Sequence, residues 1–423
     1  MDYSNHSRED LLEEIRRLKS HVLQLRNVIA KRGSALPNTE SGKKKRKKGR
    51  EFDFNLYKQR KVLLQICYFG WSYHGFAVQE DSPMTIEGHL FNALSRTCLI
   101  RSRETSNYHR CGRTDKGVSA FRQVVSIELR SNLLEGPGVF DYPECRAHSR
   151  PNPTTNEEID YCKILNSNLP PDIQVIAWAP LTNRDFSARF DCKIREYKYI
   201  FPLGAARDLS RIQEAGAKLL GSHDFRNFCK MDVSNGVLTY IRRMLEVSVS
   251  PLESSSTDSY SLVELKIVGN AFLWHQIRCI VTVLFHIGQG LEEPSLIDEL
   301  LDVEKHPRRP QYGLASEIPL NLFDCSYGEE GNISWIYEVP SLKATLKGFQ
   351  SLWTQHAVKA RMIRICLGVL EERMPGEVVS EQLASLLPHS KQRTYTPFLE
   401  MLKCPSLEEK IETANKRRRK LIE

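Results

Sequence analysis

The chain has 423 residues, of which 41% are hydrophobic and 26% charged, so it can form two or three domains with sizeable cores. Its formal net charge is +8, but twelve of its basic residues lie in two runs, at 43–50 and 416–420. The remainder holds 48 basic and 52 acidic residues, a net charge of −4. This excludes a uniformly cationic surface, so nucleic-acid binding by the folded part requires a local patch.

The cysteines indicate an intracellular protein. All eleven are spread between Cys67 and Cys404 without a CxxC pair, which fits neither a disulfide framework nor a zinc ribbon. The polar N-terminus is not typical of a signal peptide. The longest mostly apolar stretch, Cys279 to Ile287, is far shorter than the ~20 residues that span a membrane. We therefore expect a soluble intracellular protein without a membrane segment or a bound metal.

The first 60 residues divide into two segments. Residues 1–32 carry apolar side chains at heptad spacing, which predicts a coiled-coil-like helix and leaves open whether it oligomerises or is simply amphipathic. The side chains at this spacing are Leu11, Ile15, Leu18, Val22, Leu25 and Ile29. Residues 33–60 contain the first basic run and are predicted to be a disordered linker. The run suits nuclear import, an RNA tether or a solvated tail.

Residues 61–180 form the first predicted catalytic half. Its elements, in chain order, are a strand at 62–69, a helix at 85–99, strands at 105–111 and 120–129, a helix at 157–168 and a strand at 173–179. Residues 135–156, rich in Pro, Asn and Glu, are interpreted as a surface insertion.

Residues 181–330, the second predicted half, repeat this order. The elements are a strand at 194–201, a helix at 209–220, strands at 239–249 and 262–268, a helix at 272–287 and a strand at 322–326. The order βαββαβ twice predicts an α+β fold of two tandem ferredoxin-like halves with antiparallel sheets that meet at a central cleft. Residues 331–423 are predicted to be a helical C-terminal extension.

Several common catalytic signatures are absent from the sequence. It contains no G-x-x-x-x-G-K-[ST], no G-x-G-x-x-G after a strand, no G-x-S-x-G and no H-E-x-x-H. The sequence therefore lacks the motifs that would indicate an NTPase, a dinucleotide-dependent enzyme, an α/β-hydrolase or a zincin.

The densest polar cluster surrounds Asp115. Thr-Asp-Lys-Gly at 114–117 is compatible with an ordinary hairpin turn, in which Asp bonds the backbone and Gly adopts a positive φ. Its cationic neighbours, Arg110, Arg113 and Lys116, favour a functional interpretation. They would keep the carboxylate ionised and could grip phosphate, so Asp115 is a candidate nucleophile for a polyanionic substrate.

Four ordered motifs resemble those of the TruA-type tRNA pseudouridine synthases. Residues 110–120 (RCGRTDKGVSA) resemble the catalytic loop, and residues 68–76 (YFGWSYHGF) the first motif. Arg189 with residues 195–199 (REYKY) resembles the central motif, and residues 269–278 (GNAFLWHQIR) the late helix. The sequence is most similar to the eukaryotic branch that modifies uridines 38 and 39. Phe76 departs from the family, because many bacterial members have Trp there.

This resemblance implies a chemistry and a set of roles. Asp115 would be the nucleophile, Arg278 would pair with it and keep it ionised, and Tyr197 would stack on the flipped base and act as acid or base. Arg113 would fill the vacated stack or hold the adjacent phosphate. The remaining implied RNA-binding residues are Arg110, Lys116, Arg189, Arg195 and His275.

The resemblance also implies the partners and the location. The substrate would be the anticodon arm of tRNA, bound by a homodimer in nucleus and cytoplasm, and the isomerisation would need no cofactor and no metal. Without the resemblance, Tyr197 suits a strand core and His275 a satisfied helix-face histidine. Arg278, on an apolar helix, would require an anionic partner in either case.

Two other functions are compatible with parts of the sequence. A non-catalytic RNA-binding protein could keep the scaffold, but it would not need Asp115, Tyr197 and Arg278 together. A nuclear scaffold would explain only the termini. Deletion of residues 1–55 distinguishes them, because an enzyme would keep its catalytic step and a scaffold would lose its function.

Overall fold

The computed structural model describes residues 52–79, 82–141, 145–146, 157–233, 237, 239–252, 258–328, 333–374, 380–388 and 395–422. The predicted N-terminal helix at 1–32 and the basic run at 43–50 lie outside these residues.

The described residues form ten strands and eight α-helices. The strands are β1 (Lys58–Tyr68), β2 (His109–Arg110), β3 (Ser119–Ser131), β4 (Val139–Phe140), β5 (Ile173–Pro180), β6 (Ile194–Pro202), β7 (Gly221–Asp224), β8 (Ile241–Pro251), β9 (Leu262–Gly269) and β10 (Leu320–Ser326). The helices are α1 (Ile86–Arg96), α2 (Tyr161–Asn166), α3 (Leu209–Ala217), α4 (Gln276–Gly288), α5 (Leu296–Leu301), α6 (Val339–Glu371), α7 (Ser380–Leu386) and α8 (Leu407–Ile422).

All ten strands belong to one sheet. Its order is β4-β1-β3-β10-β6-β9-β8-β7, with β5 also paired to β1 and β2 to β3. The pairs are antiparallel except β3 and β10, which are parallel and meet through Ser119 with Asn321 and Ala120 with Leu322. The mixed, mostly antiparallel architecture confirms the predicted α+β class. The start of β3, and the loop that precedes it, therefore lie where the two halves of the sheet join.

The buried side chains form two clusters. One draws mainly on residues 62–192, and the other mainly on residues 199–320 together with 386–398. Tyr197 on β6 packs against both clusters. The chain therefore has two cores that share one continuous sheet, and contacts between the cores lie beside the β3–β10 junction.

Two helices illustrate how the sequence determines burial. Helix α1 begins at the N-cap Thr85, whose hydroxyl accepts a hydrogen bond from the Gly88 N–H at 3.2 Å. Its buried face includes Ile86, Leu90 and Leu94, at the spacing of one helical face. Helix α4 is buried on nearly every side, and its N-cap, His275, has a left-handed backbone with φ of 62°. No helix in the described ranges is long and apolar enough to cross a membrane.

Helix α6 connects the two halves on the outside of the fold. Near its start, Thr345 donates a hydrogen bond to Gln174 of β5 at 3.2 Å. Near its end, Arg364 lies 3.3 Å from Asp258, and Glu371 accepts a hydrogen bond from Tyr260. The predicted extension at 331–423 contains the helices α6, α7 and α8 as well as non-helical segments, and α6 contacts both halves.

Several predicted boundaries differ from the structure. Residues 58–60, assigned above to the linker, belong to β1, and the predicted strand at 105–111 is reduced to two residues in β2. The helix predicted at 157–168 forms only at Tyr161–Asn166, because Asp160 caps its start through the Lys163 N–H. Strands β4 and β7 and helix α5 were not predicted, since each is too short to show a periodic pattern.

Candidate active site

Asp115 lies in the loop of residues 111–118, between β2 and β3. The first motif holds this loop through backbone hydrogen bonds: the Phe76 N–H donates to the Thr114 carbonyl at 3.1 Å, and the Gly117 N–H donates to the Tyr73 carbonyl at 3.1 Å. The Tyr68 hydroxyl is 2.7 Å from the Thr114 hydroxyl. The residues before and after Asp115 are therefore fixed by a single neighbouring segment, and we call residues 111–118 the nucleophile loop.

Glycine is required where the first motif meets the nucleophile loop. A Cβ at Gly70 would lie 2.0 Å from the Val118 carbonyl oxygen, a distance that real atoms do not reach. Gly75 has a φ of +93°, and a Cβ there would lie 3.1 Å from the Thr114 carbonyl oxygen. The glycines of the first motif thus serve close backbone packing, which explains a pattern that sequence inspection recognised only by resemblance.

The carboxylate of Asp115 is mostly buried, with 25% of its side chain exposed. Burial raises its pKa from 3.8 to about 6, against the opposing effects of Arg278, the Trp274 indole and Lys230. Glu317 acts in the same direction as burial. Desolvation thus outweighs the positive neighbours, although a carboxyl with this pKa is still mainly ionised at neutral pH, as the sequence predicts.

Arg278, on the first turn of α4, makes its direct ion pair with a different carboxylate. Its Nη2 lies 2.7 Å from Oε2 of Glu317, and its Nε donates to the Ala315 carbonyl at 2.6 Å. Arg278 is the main positive charge that lowers the pKa of Asp115. The sequence was thus right that this buried arginine needs an anionic partner, but the partner in direct contact is Glu317 and not Asp115.

His275 reaches Asp115 from the N-terminal end of α4, with Nε2 at 3.6 Å from Oδ2. Burial lowers its pKa to about 4, and the positive charges of Arg278, Lys230 and Arg309 act in the same direction. His275 is therefore neutral at physiological pH, and its contact with Asp115 is not an ion pair. His275 thus lies against the carboxylate, and its role in RNA binding stays a prediction.

Tyr197 lies on β6, with its ring edge-on to Phe272 at 5.0 Å between centroids. The strand is paired with β10 and β9 on either side, so the ring has a fixed position. Burial raises the pKa of Tyr197 far above its usual value, which keeps the phenol protonated. This excludes a phenolate base at neutral pH and favours a role in packing or stacking.

Arg110 is bound to a carboxylate other than Asp115. It ion-pairs with Glu87, the buried carboxylate of α1, which also contacts Arg103 at 2.8 Å. Burial alone would raise the pKa of Glu87, but Arg110, Arg103 and the Val78 N–H together lower it below the usual value. This role of Glu87 was not predicted, since an acid within an apolar helical face has no distinctive spacing.

Arg189, Arg113 and Arg195 bring further positive charge close to Arg110. Burial, together with the charges of Arg113, Arg110 and Arg195, lowers the pKa of Arg189 to about 10. Guanidinium groups this close to one another would gain from a shared anion. Arg113 is exposed to solvent at the edge of this group, which we call the arginine cluster (Arg110, Arg113, Arg189 and Arg195).

The guanidinium of Arg195 binds mainly to backbone carbonyls. It donates to the carbonyls of Asn270 at 2.7 Å, Arg189 at 3.1 Å and Cys111 at 3.2 Å. It therefore ties together the nucleophile loop, the Arg189 segment and the turn before α4. Lys116, the remaining predicted RNA-binding residue, is exposed on the nucleophile loop.

Two residues near Asp115 were not expected from the sequence as site residues. Lys230 lies 4.4 Å above the ring of Trp274, whose side chain is 41% exposed. Glu317 lies in the irregular segment before β10, where no periodicity or motif marks it. Both residues come to Asp115 through tertiary contacts of distant segments.

One group of side chains in the described ranges could act as metal ligands. The buried thiols of Cys111, Cys192 and Cys325 have their sulfur atoms within 4.8 Å of one another. A structural zinc site takes four protein ligands, this group offers three, and the charge of Arg195 is close to it. These residues do not make a complete zinc site. All eleven cysteines are free thiols.

The sequence matches one family of proteins. A family model described as tRNA pseudouridine synthase matches residues 215–328, a span that contains His275, Arg278 and Glu317. The tRNA pseudouridine(38/39) synthase of Homo sapiens is 42% identical, over 97% of this chain and 88% of that protein. The protein of the same name in Saccharomyces cerevisiae is 37% identical, over 77% of this chain and 72% of its own length.

An archaeal relative helps to delimit the shared part. The tRNA pseudouridine synthase A of Methanosarcina mazei is 32% identical over 98% of its own length, but the match covers 74% of this chain. About a quarter of the present chain therefore has no counterpart in the archaeal protein.

Proposed function

This chain belongs to the tRNA pseudouridine synthase family and is an isomerase, and on that basis we propose that it converts uridines 38 and 39 of the tRNA anticodon arm to pseudouridine. The proposed nucleophile is Asp115. The observation that carries this assignment is a mostly buried carboxylate at the junction of the two halves, with Arg278 and Lys230 as its positive neighbours.

The reaction rearranges one nucleotide without adding or removing atoms. The bond between N1 of uracil and C1′ of ribose breaks, the detached base turns, and C5 bonds to C1′. The proton on C5 leaves and N1 takes one up, so the product is an isomer of the substrate. Such a reaction needs neither an electron carrier nor a group donor, which agrees with the absence of dinucleotide and NTPase motifs in the sequence.

We assign to Asp115 the role of covalent or near-covalent partner of the nucleotide while the glycosidic bond is broken; any bond to its carboxylate breaks again when C5 bonds to C1′, which frees Asp115 for the next turnover. Its pKa of about 6 suits this role, because the carboxylate is mainly ionised near neutral pH and yet more basic than an ordinary aspartate. Arg278 offsets the charge of the carboxylate and remains available to the developing negative charge on the base. His275, neutral and largely buried, keeps water from the reacting atoms.

The target base must leave its stack to reach Asp115. Flipping costs a few kcal/mol and is cheaper in a loop than in a duplex, which favours an anticodon-arm substrate. We assign stacking on the flipped uracil to Tyr197, because its ring is fixed by Phe272 and its phenol stays protonated. Arg113, exposed at the edge of the arginine cluster, would fill the vacated stack or bind the adjacent phosphate.

Binding of the tRNA backbone relies on local positive charge. Arg113, Arg189 and Lys116 lie on or beside the nucleophile loop, while Arg110 and Arg195 hold the surrounding structure. A phosphate close to this group would relieve the mutual repulsion of the guanidinium groups. The same local patch explains how a core with a slightly negative net charge could bind a polyanion.

The strand order supports the proposal of two ferredoxin-like halves. Strands β5-β1-β3-β2 in the first half and β10-β6-β9-β8 in the second each have the spatial order fourth-first-third-second, as a βαββαβ unit requires. Helices α1 and α2 belong to the first unit, and α3 and α4 to the second. We place the tRNA-binding cleft where the units meet, beside the β3–β10 junction.

We also propose that the protein is a homodimer, because α6 has a large exposed apolar surface. Its exposed apolar side chains include Leu346, Trp353, Val358, Met362, Ile363, Ile365, Val369 and Leu370. Large apolar side chains exposed in this number along one helix are typical of an interface and not of a monomer. The basic run at 43–50 supports a second proposal, a division of the protein between nucleus and cytoplasm.

The decisive experiment measures pseudouridine at positions 38 and 39 of a tRNA transcript after incubation with the purified protein. We expect the wild type to modify these uridines, and Asp115→Ala to abolish the product while tRNA affinity falls by no more than severalfold. Asp298→Ala, which removes an exposed carboxylate paired with Lys218, is the matched control and should remain active.

Each outcome distinguishes the enzyme from a binding protein. Normal turnover by Asp115→Ala would exclude Asp115 as the nucleophile, and binding of tRNA without any product would favour the non-catalytic alternative. In cells that lack the protein, unchanged pseudouridine in the anticodon arm would exclude the assignment to positions 38 and 39.

A further inference from the structure

Glu317 has no role in the mechanism described so far, although it lies beside the nucleophile. It is in the segment of residues 315–318, immediately before β10. Three hydrogen bonds fix this segment: the Tyr199 hydroxyl donates to the Ser316 carbonyl at 3.0 Å, the Trp71 indole donates to the Ile318 carbonyl at 3.3 Å, and the Ser316 N–H donates to the Leu386 carbonyl at 2.7 Å. The backbone that carries Glu317 is therefore held from both halves and from α7.

The side chain of Glu317 and its own segment hold Arg278 at two points. Glu317 accepts from Nη2 at 2.7 Å, and the Ala315 carbonyl accepts from Nε at 2.6 Å. Only 11% of the Arg278 side chain is exposed, against 31% for Glu317. A largely buried guanidinium with two such acceptors is fixed in orientation, since each acceptor removes one of its rotational alternatives.

Glu317 also packs against the nucleophile loop. Gly117, two residues after Asp115, has a φ of +80°, and a Cβ there would lie 2.5 Å from Cγ of Glu317. The absence of a side chain at residue 117 therefore makes room for Glu317. One glutamate thus contacts both the loop that carries the nucleophile and the arginine that acts on the nucleophile.

The charges around Asp115 indicate what this arrangement does. The side chains that face the carboxylate are Arg278, Lys230, Trp274, His275 and Glu317. Burial raises the pKa of Asp115, Arg278, Trp274 and Lys230 oppose it, and Glu317 is the one negative charge in this set. Because Glu317 is also paired with Arg278, it reduces the field of that arginine at the nucleophile.

We propose that Glu317 is a positioning residue of the pseudouridine synthase reaction, a role that rests on the function proposed above. It holds Arg278 beside the nucleophile loop and offsets part of the charge of that arginine at Asp115. Glu317 itself does not react with the nucleotide.

The experiment compares single-turnover rates of pseudouridine formation between pH 5 and 8.5 for the wild type, Glu317→Gln and Glu317→Asp. Gln keeps the size of the side chain and removes its charge, so the acid limb of the rate profile should move to lower pH by at least ~0.5 unit. Asp keeps the charge but is shorter, so the limb should stay in place. In both variants the plateau rate should fall on the order of tenfold, because Arg278 is no longer held.

A matched control and a binding measurement separate this role from a structural one. Glu246→Gln removes a carboxylate that ion-pairs with Lys266 of the neighbouring strand at 2.8 Å. It should change neither the pH of the acid limb nor the plateau rate. Affinity for tRNA should stay within about twofold of the wild type in all variants. A merely structural role would lower melting temperature and rate together and leave the acid limb where it was.

Defined results would overturn the proposal. An acid limb of Glu317→Gln at the wild-type pH would exclude the charge effect, and a wild-type plateau in Glu317→Asp would exclude the holding of Arg278. If Glu317→Gln does not fold, Glu317→Asp alone still decides the second point. Failure of the proposed function would look different, because the wild type itself would then form no pseudouridine.

Discussion

At the scale of single residues, Asp115 combines burial with charge. A carboxylate gives up hydration when it is buried, and three cationic or hydrogen-bonding neighbours replace only part of it, so its pKa rises to about 6. The same burial makes the carboxylate more basic and lowers the stability of the folded chain at neutral pH. Such a loss of stability is common at catalytic residues, the role proposed for Asp115.

The pH dependence of catalysis should report this pKa directly. Only the ionised carboxylate can act as a nucleophile, so single-turnover pseudouridine formation should fall below pH ~6, tenfold for each further pH unit. The measurement is the rate between pH 5 and 8 with a pre-bound tRNA substrate. An acid limb near pH 4, the value of an unperturbed aspartate, would contradict the burial seen here.

The raised pKa of Asp115 should also make the folded chain less stable at neutral pH than at acidic pH. The folded-state pKa of Asp115 is raised above its unfolded value, so its contribution to stability is present below pH ~4 and is lost as pH rises through 6. Asp115→Asn cannot ionise and escapes this loss. The free energy of unfolding of Asp115→Asn minus that of the wild type should therefore be about 1–3 kcal/mol larger at pH 7.5 than at pH 4.

Denaturant unfolding of both proteins at the two pH values measures this difference. The comparison across pH removes any constant effect of the substitution itself. An equal difference at pH 4 and pH 7.5 would mean that Asp115 titrates normally in the folded chain.

The sequence predicted the individual residues of the site better than their partners. Asp115, Tyr197 and Arg278 were identified from motif resemblance, and the structure brings Arg278 into the electrostatic environment of Asp115. The pairs Arg278–Glu317 and Arg110–Glu87 were not predicted, because an ion pair across 39 or 23 residues leaves no periodic trace in the sequence.

At the scale of elements, two glycines determine how the first motif packs on the nucleophile loop. Gly70 and Gly75 allow backbone contacts with residues 114–118 that any Cβ would disturb. The motif therefore acts as a support for the loop that carries Asp115.

Gly70→Ala should displace the nucleophile loop, because its Cβ would lie 2.0 Å from the Val118 carbonyl oxygen. We expect a loss of about 1–3 kcal/mol in the free energy of unfolding and a fall in the rate of at least ~10-fold. Gly112→Ala is the matched control in the same loop, since a Cβ there would meet no atom within 4 Å. Thermal melts and single-turnover rates test both; equal behaviour of the two variants would refute the packing argument.

The length of a helix or strand determines how well its sequence pattern predicts it. Helix α6, at Val339–Glu371, lies within the segment predicted to be helical, because a long helix has many turns that repeat the same pattern. Strand β2, with two residues, depends on its pairing with β3 through Ser126 and Val125. A strand that short is defined by its partner and not by its own residues.

At the scale of the whole molecule, one sheet joins two cores, and α6 lies across both. It contacts β5 near its start and the segment around Asp258 near its end, and large apolar side chains are exposed along its length. The chain therefore has a surface that a second copy could cover, at the position where the helix links the halves.

Substitution of an exposed apolar residue of α6 should break the proposed homodimer. Trp353 is 72% exposed, so Trp353→Glu should cost the isolated chain little stability but should bury a charge in the dimer interface. We expect the mass from light scattering to fall from two chains to one. Gln355→Glu, a neighbouring exposed position, is the control for added charge. A monomeric wild type, or a dimeric Trp353→Glu, would contradict this assignment.

The sequence alone determined the class of fold, the order of most elements and the residues around which the site is built. These properties follow from local information: apolar periodicity, capping residues and motifs of contiguous residues. Only the tertiary structure decided that Asp115 is buried enough to raise its pKa, that Arg278 is held by Glu317, and that glycines bring the first motif against the nucleophile loop. The physical reason is that burial and ion pairing depend on which distant segments meet, and the β3–β10 junction brings them together.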